Sequence, residues 1–195
     1  MTNPSTTPLT PHKYPIWVLF FMACIVFCFI YSFRSTLVLS QAAWSLRQAN
    51  IELDKRNNKK AEEYYQQVLN LVPTSSEARV RMAIMYFANG NSSDDNKAIV
   101  LLETQSEKIS AAGKLTTLGN FQDAMSIYKG VLESDRKSQE AKIGLAEVYF
   151  SNADKSDDRF GLSLLDGLEI RKDDWDRLVK VMPQEYRSFF KEIKK

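Results

Sequence analysis

The chain has 195 residues, with 26 Lys and Arg against 24 Asp and Glu and a formal net charge of +2. The two signs are interspersed, with no basic block of the kind that displaces counterions from a phosphate backbone, and this argues against nucleic acid as a partner. His12 is the only histidine and Cys24 and Cys28 are the only cysteines, so residues 35–195 hold no imidazole or thiol for a metal site, a disulfide or nucleophilic catalysis.

In chain order, residues 1–15 read "MTNPSTTPLTPHKYP", with four prolines among Thr and Ser. Such a stretch predicts a disordered or extended tail. Residues 16–33, "IWVLFFMACIVFCFIYSF", carry no charge, proline or glycine. Eighteen helical residues reach about 27 Å, close to the thickness of a bilayer's hydrocarbon core. Pro15 suits a helix start, and Trp17 and Tyr31 suit the two interfaces. A membrane-spanning helix is therefore expected over residues 16–34, in contact with lipid. A cleaved signal and a buried soluble helix are the competing readings. Against a signal, the chain opens on Pro and Thr rather than on basic residues, and the nearest small-residue site, "SQA" at 40–42, lies well past the run. Cys24 and Cys28 share a face at i, i+4, as apolar fillers or as sites of acylation or pairing. Lys13 on one flank and Arg34 on the other leave the positive-inside balance nearly level.

Residues 57–103 recur as residues 120–166 at a constant offset of 63, with seventeen identities and no gap. Ala61/Ala124, Tyr65/Tyr128, Val68/Val131, Ala83/Ala146 and Phe87/Phe150 are among them. This is an internal duplication. Within each copy the apolar period is helical: Ala61, Tyr65, Val68 and Leu69 fall at i, i+4, i+7 and i+8. Pro73 ends that stripe, and "TSS" at 74–76 caps the next helix, which Gly90 stops. No segment alternates with period two. The fold class expected is all-α, built from helical hairpins.

At these residues the chain resembles the tetratricopeptide repeat family, in which antiparallel helix pairs of about 34 residues stack. "AWSLRQANIELDKRNNKKAEEYYQQVLNLVP" is similar to the consensus, with Ala49, Ala61, Tyr65, Val68 and Pro73 at its small, aromatic and proline positions. "LGNFQDAMSIYKGVLESD" is similar to the second half of a repeat, through Gly119, Phe121, Ala124 and Tyr128. The chain departs from the pattern in its offset of 63, in the longer turn holding "NSSDD", and in Arg136 where a proline is expected. The resemblance implies about four repeats over residues 35–167, with residues 168–195 as capping helices. The anchor helix is free to run straight into the first repeat through "STLVLSQAAW".

The repeated "SDD" at 93–95 and 156–158 lacks the alternating oxygens and terminal Glu of a calcium loop and reads as helix capping. No cofactor, small-molecule substrate or catalytic activity is expected. In the family the first helix of each hairpin lines a concave groove. That placement implies a partner-binding groove at Asn50, Val80, Ile84, Phe87, Ile143, Glu147 and Phe150. Leu46 and Arg81 stand where a carboxylate clamp would have Lys and Asn, so the implied ligand is an apolar helix or an extended segment of a protein. The expected role is a membrane-anchored scaffold acting in assembly, secretion or quality control, or else a permanent subunit of a membrane complex. By architecture it resembles bacterial inner-membrane repeat proteins with a periplasmic domain. A stack facing the cytoplasm is the other orientation.

Overall fold

The computed structural model describes residues 16–152 and 154–191. The tail expected over residues 1–15 lies outside the described residues. Among the described residues ten helices follow one another and there is no strand.

Helix α1 (Ile16–Asp54) is a single helix of 39 residues. At 1.5 Å per residue it is about 58 Å long, roughly twice a hydrocarbon core. Composition shifts at Arg34, but the helix does not break there, because the first proline after Pro15 is Pro73 and the first glycine is Gly90. Nearly every side chain from Trp17 to Gln41 is exposed, and packing begins at Ala42. Ala42, Ser45 and Ala49 then form a buried stripe of small residues. This is one helix long and apolar enough to cross a membrane.

Helix α2 (Asn58–Leu71) runs back along the last part of α1. The small stripe lets the two approach, and Ala61, Tyr65 and Val68 fill the seam. Tyr65 donates a hydrogen bond to Asn50 Oδ1 at 2.8 Å, and Trp44 meets Tyr64 edge to face at 5.8 Å. Burial pushes the Tyr65 hydroxyl up to about 12. The turn between the helices rests on Arg56, whose φ is +60°. Arg56 N–H bonds to Leu53 C=O and Asn57 N–H to Glu52 C=O, the two bonds of a Schellman stop.

Three further pairs follow. Helix α3 (Ser76–Ala88) packs with α4 (Ser92–Leu101), α5 (Gln105–Thr117) with α6 (Phe121–Ser134), and α7 (Gln139–Ser151) with α8 (Asp158–Leu165). Helices α9 (Lys172–Val181) and α10 (Gln184–Lys191) complete the chain. Helix α3 packs on α5, α5 on α7 and α7 on α9, so alternate helices form a row. The duplication is visible in the bounds: α2 and α6, and likewise α3 and α7, begin and end 63 residues apart. Caps repeat too. Ser75 and Ser138 accept from the N–H of Ala78 and Ala141. The "SDD" segments clasp the preceding turn, where Asn89 Nδ2 donates to Asp94 at 2.7 Å and Asn152 Nδ2 to Asp157 at 2.8 Å.

Helices α3 and α7 are buried nearly all round, because each has helices on several sides. One apolar core runs from Ala42 through Tyr149. A second, made of Ile143, Ala146, Phe150, Leu165, Leu178 and Met182, lies where α9 covers α7. Tyr128 reaches the α7 backbone at Gly144, where a Cβ would overlap its ring.

The seam between α3 and α5 holds a buried ion pair. Arg79 Nη2 and Nε lie 2.6 and 3.0 Å from Glu107 Oε1, and Arg79 Nη1 donates to the Pro73 carbonyl at 2.6 Å. Glu107 Oε2 accepts from the N–H of Glu103 and Thr104, both at 3.0 Å. Burial works to raise the Glu107 carboxyl, but hydrogen bonds led by that from Arg79 outweigh it and hold the group below its ordinary value.

Two expectations follow. Arg56 occupies a left-handed position that its counterpart 63 residues later, Gly119, fills with φ +79°. Arg56→Gly should raise unfolding free energy by about 0.5–1 kcal/mol in urea titrations. Glu107→Ala strands a buried guanidinium and should cost about 3 kcal/mol at neutral pH. Since the folded carboxyl sits below its unfolded value, its contribution is present at neutral pH and is lost as pH falls through the folded value. The stability gap between the wild-type chain and Glu107→Gln should therefore close on acidification.

Candidate functional site

The seven residues expected to line a groove fall into three settings. Asn50, on α1, is half-buried and bonded to Tyr65. Val80, Ile84 and Phe87, on α3, belong to the main core, while Ile143 and Phe150, on α7, belong to the second core. All five of these apolar side chains are less than a tenth exposed. Glu147 lies on α7 between them and accepts from Arg177 Nη1 of α9 at 3.2 Å. The structure thus gathers Ile143, Glu147 and Phe150 on one α7 face and covers that face with α9, through Leu178 and Met182. A sequence pattern identifies the apolar face of a helix. It does not say whether a partner or the chain's own next helix will cover it.

Open surface occurs instead at the ends of the same row of helices. A cleft of about 710 Å³ lies where α5, α7 and α9 begin, and Ile143 forms part of its wall. Thr104, Ser138 and Arg171, the residues just before these helices, line it, as does Asp135 at the end of α6. The helices are parallel and in register, so their first turns meet. Thr104 accepts from Glu107 N–H while the Glu107 carboxylate accepts from Thr104 N–H, a capping box that fixes the start of α5. Ser138 caps α7. Gln105 Nε2 reaches Asp135 at 3.4 Å, tying the end of α6 to the start of α5.

Ile109 and Ile143 are the aliphatic residues of the cleft's lining, beside ten polar or charged ones. Asp135, Glu140, Glu169 and Asp174 line the cleft together with Arg171. Asp174 accepts from Arg171 at 3.0 Å and from Arg177 at 2.8 Å. Burial works to raise the Asp174 carboxyl, but those two bonds outweigh it and hold the group low. Glu147 is shifted the other way, since burial raises it more than Arg177 lowers it. Small-molecule pockets are mostly apolar with a few polar groups. This cleft has more charged groups in its lining than such a pocket, although the larger part of its wall is apolar.

These residues carry a faint signal in the sequence. "TQSE" at 104–107 and "SQE" at 138–140 are helix starts, and helices that stack in parallel must bring such starts to one edge. A second cleft, of about 410 Å³, lies between α4 and α6, walled by Ile99, Leu102 and Ile127 with Lys108 and Lys129 at its rim. Among the described residues, no three His, Cys, Asp or Glu side chains gather as a metal ion would require.

The contrast between covered core positions and open cleft can be read by thiol labelling. In a background with Cys24→Ala and Cys28→Ala, Gln139→Cys should react with a maleimide more than tenfold faster than Val80→Cys, as the burial of the two positions requires. Equal rates would show the α3 face to be open in solution.

No protein-family model and no curated protein matches this chain.

Proposed function

We propose that the chain is a membrane-anchored scaffold of tetratricopeptide-like hairpins that holds a partner protein at the bilayer. Its role is binding during membrane-associated assembly, secretion or quality control, with no catalysis of its own. The observation that carries this reading is the unbroken α1. One helix supplies an exposed apolar length sufficient to span a bilayer and then, with no linker, the first packed helix of the stack. A binding surface on the stack is thereby held at a fixed height above the membrane. The row of α3, α5, α7 and α9 and the open cleft at its edge support protein binding as the use of that surface. The resemblance in repeat pattern and anchor supports a bacterial inner-membrane location with the stack in the periplasm.

A permanent subunit of a membrane complex is the second reading. The exposure of nearly every side chain between Trp17 and Gln41 favours it, since other membrane helices can pack there as readily as lipid.

Photo-crosslinkers at Gln105 and Gln139, in the full-length protein in native membranes, separate the two readings. A scaffold should give one dominant adduct from both cleft positions and none from Gln66, an exposed residue of α2 outside the cleft. No adduct from the cleft, with a stoichiometric partner retained by residues 1–41 alone, would overturn the scaffold in favour of the subunit. Protease protection of the stack in spheroplasts reports the side of the membrane.

A further inference from the structure

We propose that the cleft between α4 and α6 binds a long-chain fatty acid, with the alkyl chain on Ile99, Leu102 and Ile127 and the carboxylate at Lys108 and Lys129. This goes beyond the scaffold reading and does not depend on it.

The duplication shows how the cleft arises. Helix α5 ends at Thr117, 63 residues after α1 ends at Asp54, and α2 and α6 share both bounds at the same offset. The α5–α6 hairpin is therefore a copy of α2 with the end of α1. In the first hairpin Ser45 Oγ closes on Gln67 Oε1 at 3.4 Å. The counterparts are Lys108 and Gly130, and both line the cleft. A Cβ at Gly130 would meet nothing within 4 Å. Gly130 sits inside α6, where glycine weakens a helix, and it is not among the glycines with positive φ. Backbone geometry thus gives no reason for a glycine there, whereas a side chain would close the hollow.

The apolar wall differs between the copies in the same sense. Ile99 is 47% exposed, while its counterpart Leu162 is half-buried against the second core. The chain's own helices cover this position on α8 and leave it open on α4, beside the buried Leu102 and Ile127.

Charge identifies the head of the ligand. Lys108 is half-buried, and the carboxylates nearest to it in sequence, Glu103 and Glu107, are both held by Arg79. Among the described residues its ammonium has no ion pair. Lys129 lies 5.9 Å from the centre of the Tyr149 ring. Glu133, one turn after Lys129, is the lining's carboxylate, and Arg136 in the adjoining hollow offsets it. Asp135 belongs to the α5–α7–α9 cleft, where Gln105 holds it. The ends of α4 and α6 bring about half a negative charge each, and the start of α5 returns about half a positive one. The rim stays net positive.

Apolar walls with a few charged groups at the rim are the composition of a small-molecule site, and about 410 Å³ is at the low end of the range of about 300–1,000 Å³ for such sites. The lining takes in Ser126 to Glu133 of α6, about 10 Å of helix, and one turn of α4. A docked helix, about 10–12 Å across, would stand out of so small a hollow, whereas one alkyl chain sinks into it.

The test uses full-length protein in phosphatidylcholine vesicles at pH 9, where a carboxyl is ionised and lysine still charged. The probes are hexadecanoic acid with a mid-chain diazirine and the matching alcohol, with adducts mapped by mass spectrometry. Adducts on residues 96–133 should form about fivefold more with the acid than with the alcohol. Gly130→Leu should remove them, and Lys108→Gln with Lys129→Gln should bring the acid down to the level of the alcohol. Unlabelled hexadecanoic acid should compete, and phosphatidylglycerol or an acidic amphipathic peptide should not. Equal labelling by the two probes, labelling unchanged in Gly130→Leu, or competition by the phospholipid or peptide as strong as by the acid would overturn the proposal. Gly130→Leu puts a strong helix former into open space, so thermal unfolding of that variant should be no lower than wild type, which separates a filled site from a lost fold.

Discussion

The structure depends on the uninterrupted hydrogen-bond ladder of α1. A helix meets every backbone N–H and C=O within itself, and nothing from Ile16 to Asp54 gives this one reason to stop. The same rod has two unlike parts. Its first part presents Phe, Ile, Leu and Val on all sides, and its last part presents a narrow stripe of Ala42, Ser45 and Ala49 to α2. No linker separates the exposed apolar part of α1 from the part that packs on α2.

Duplication extended the stack, but the seams between its units differ. In the first copy, Arg79 and Glu107 join α3 to α5 through a buried pair whose oxygens and nitrogens are all met by partners. The positions 63 residues on are Lys142 and Ile170, which cannot form that pair. The second copy instead joins α7 to α9 by Glu147 and Arg177, nearer to solvent, with the weight of the seam carried by Leu178 and Met182. Buried ion pairs add little net stability over apolar contacts but are costly to break. The Arg79–Glu107 pair thus enforces a single register between its helices, whereas the α7–α9 seam is held by apolar area.

The cleft is a consequence of this stacking. Thr104 and Ser138 cap α5 and α7, and Glu107, Glu140 and Asp173 put acids in the first turns of α5, α7 and α9, for reasons internal to each helix. Set side by side in parallel, these helix starts leave an open cleft at one edge.

Much of the fold was legible in residue order. The apolar run, the helical period and the stops at Pro73 and Gly90 follow from chemistry that acts within a few residues, side-chain periodicity and turn geometry, and the 63-residue offset is read directly from residue order. The continuity of α1 was readable in the lack of any breaker after Arg34, although composition alone would divide the chain there. The site was less legible. Val80, Ile84, Phe87, Ile143 and Phe150 are apolar on a helix face, and the sequence reports that face without naming what lies against it. Tertiary structure decided that α9 covers the α7 face, that Arg79 finds Glu107 across 28 residues, and that three helix starts converge into a cleft. Those outcomes depend on which helix packs on which, a long-range choice set by the summed burial of many side chains, and no local pattern encodes it.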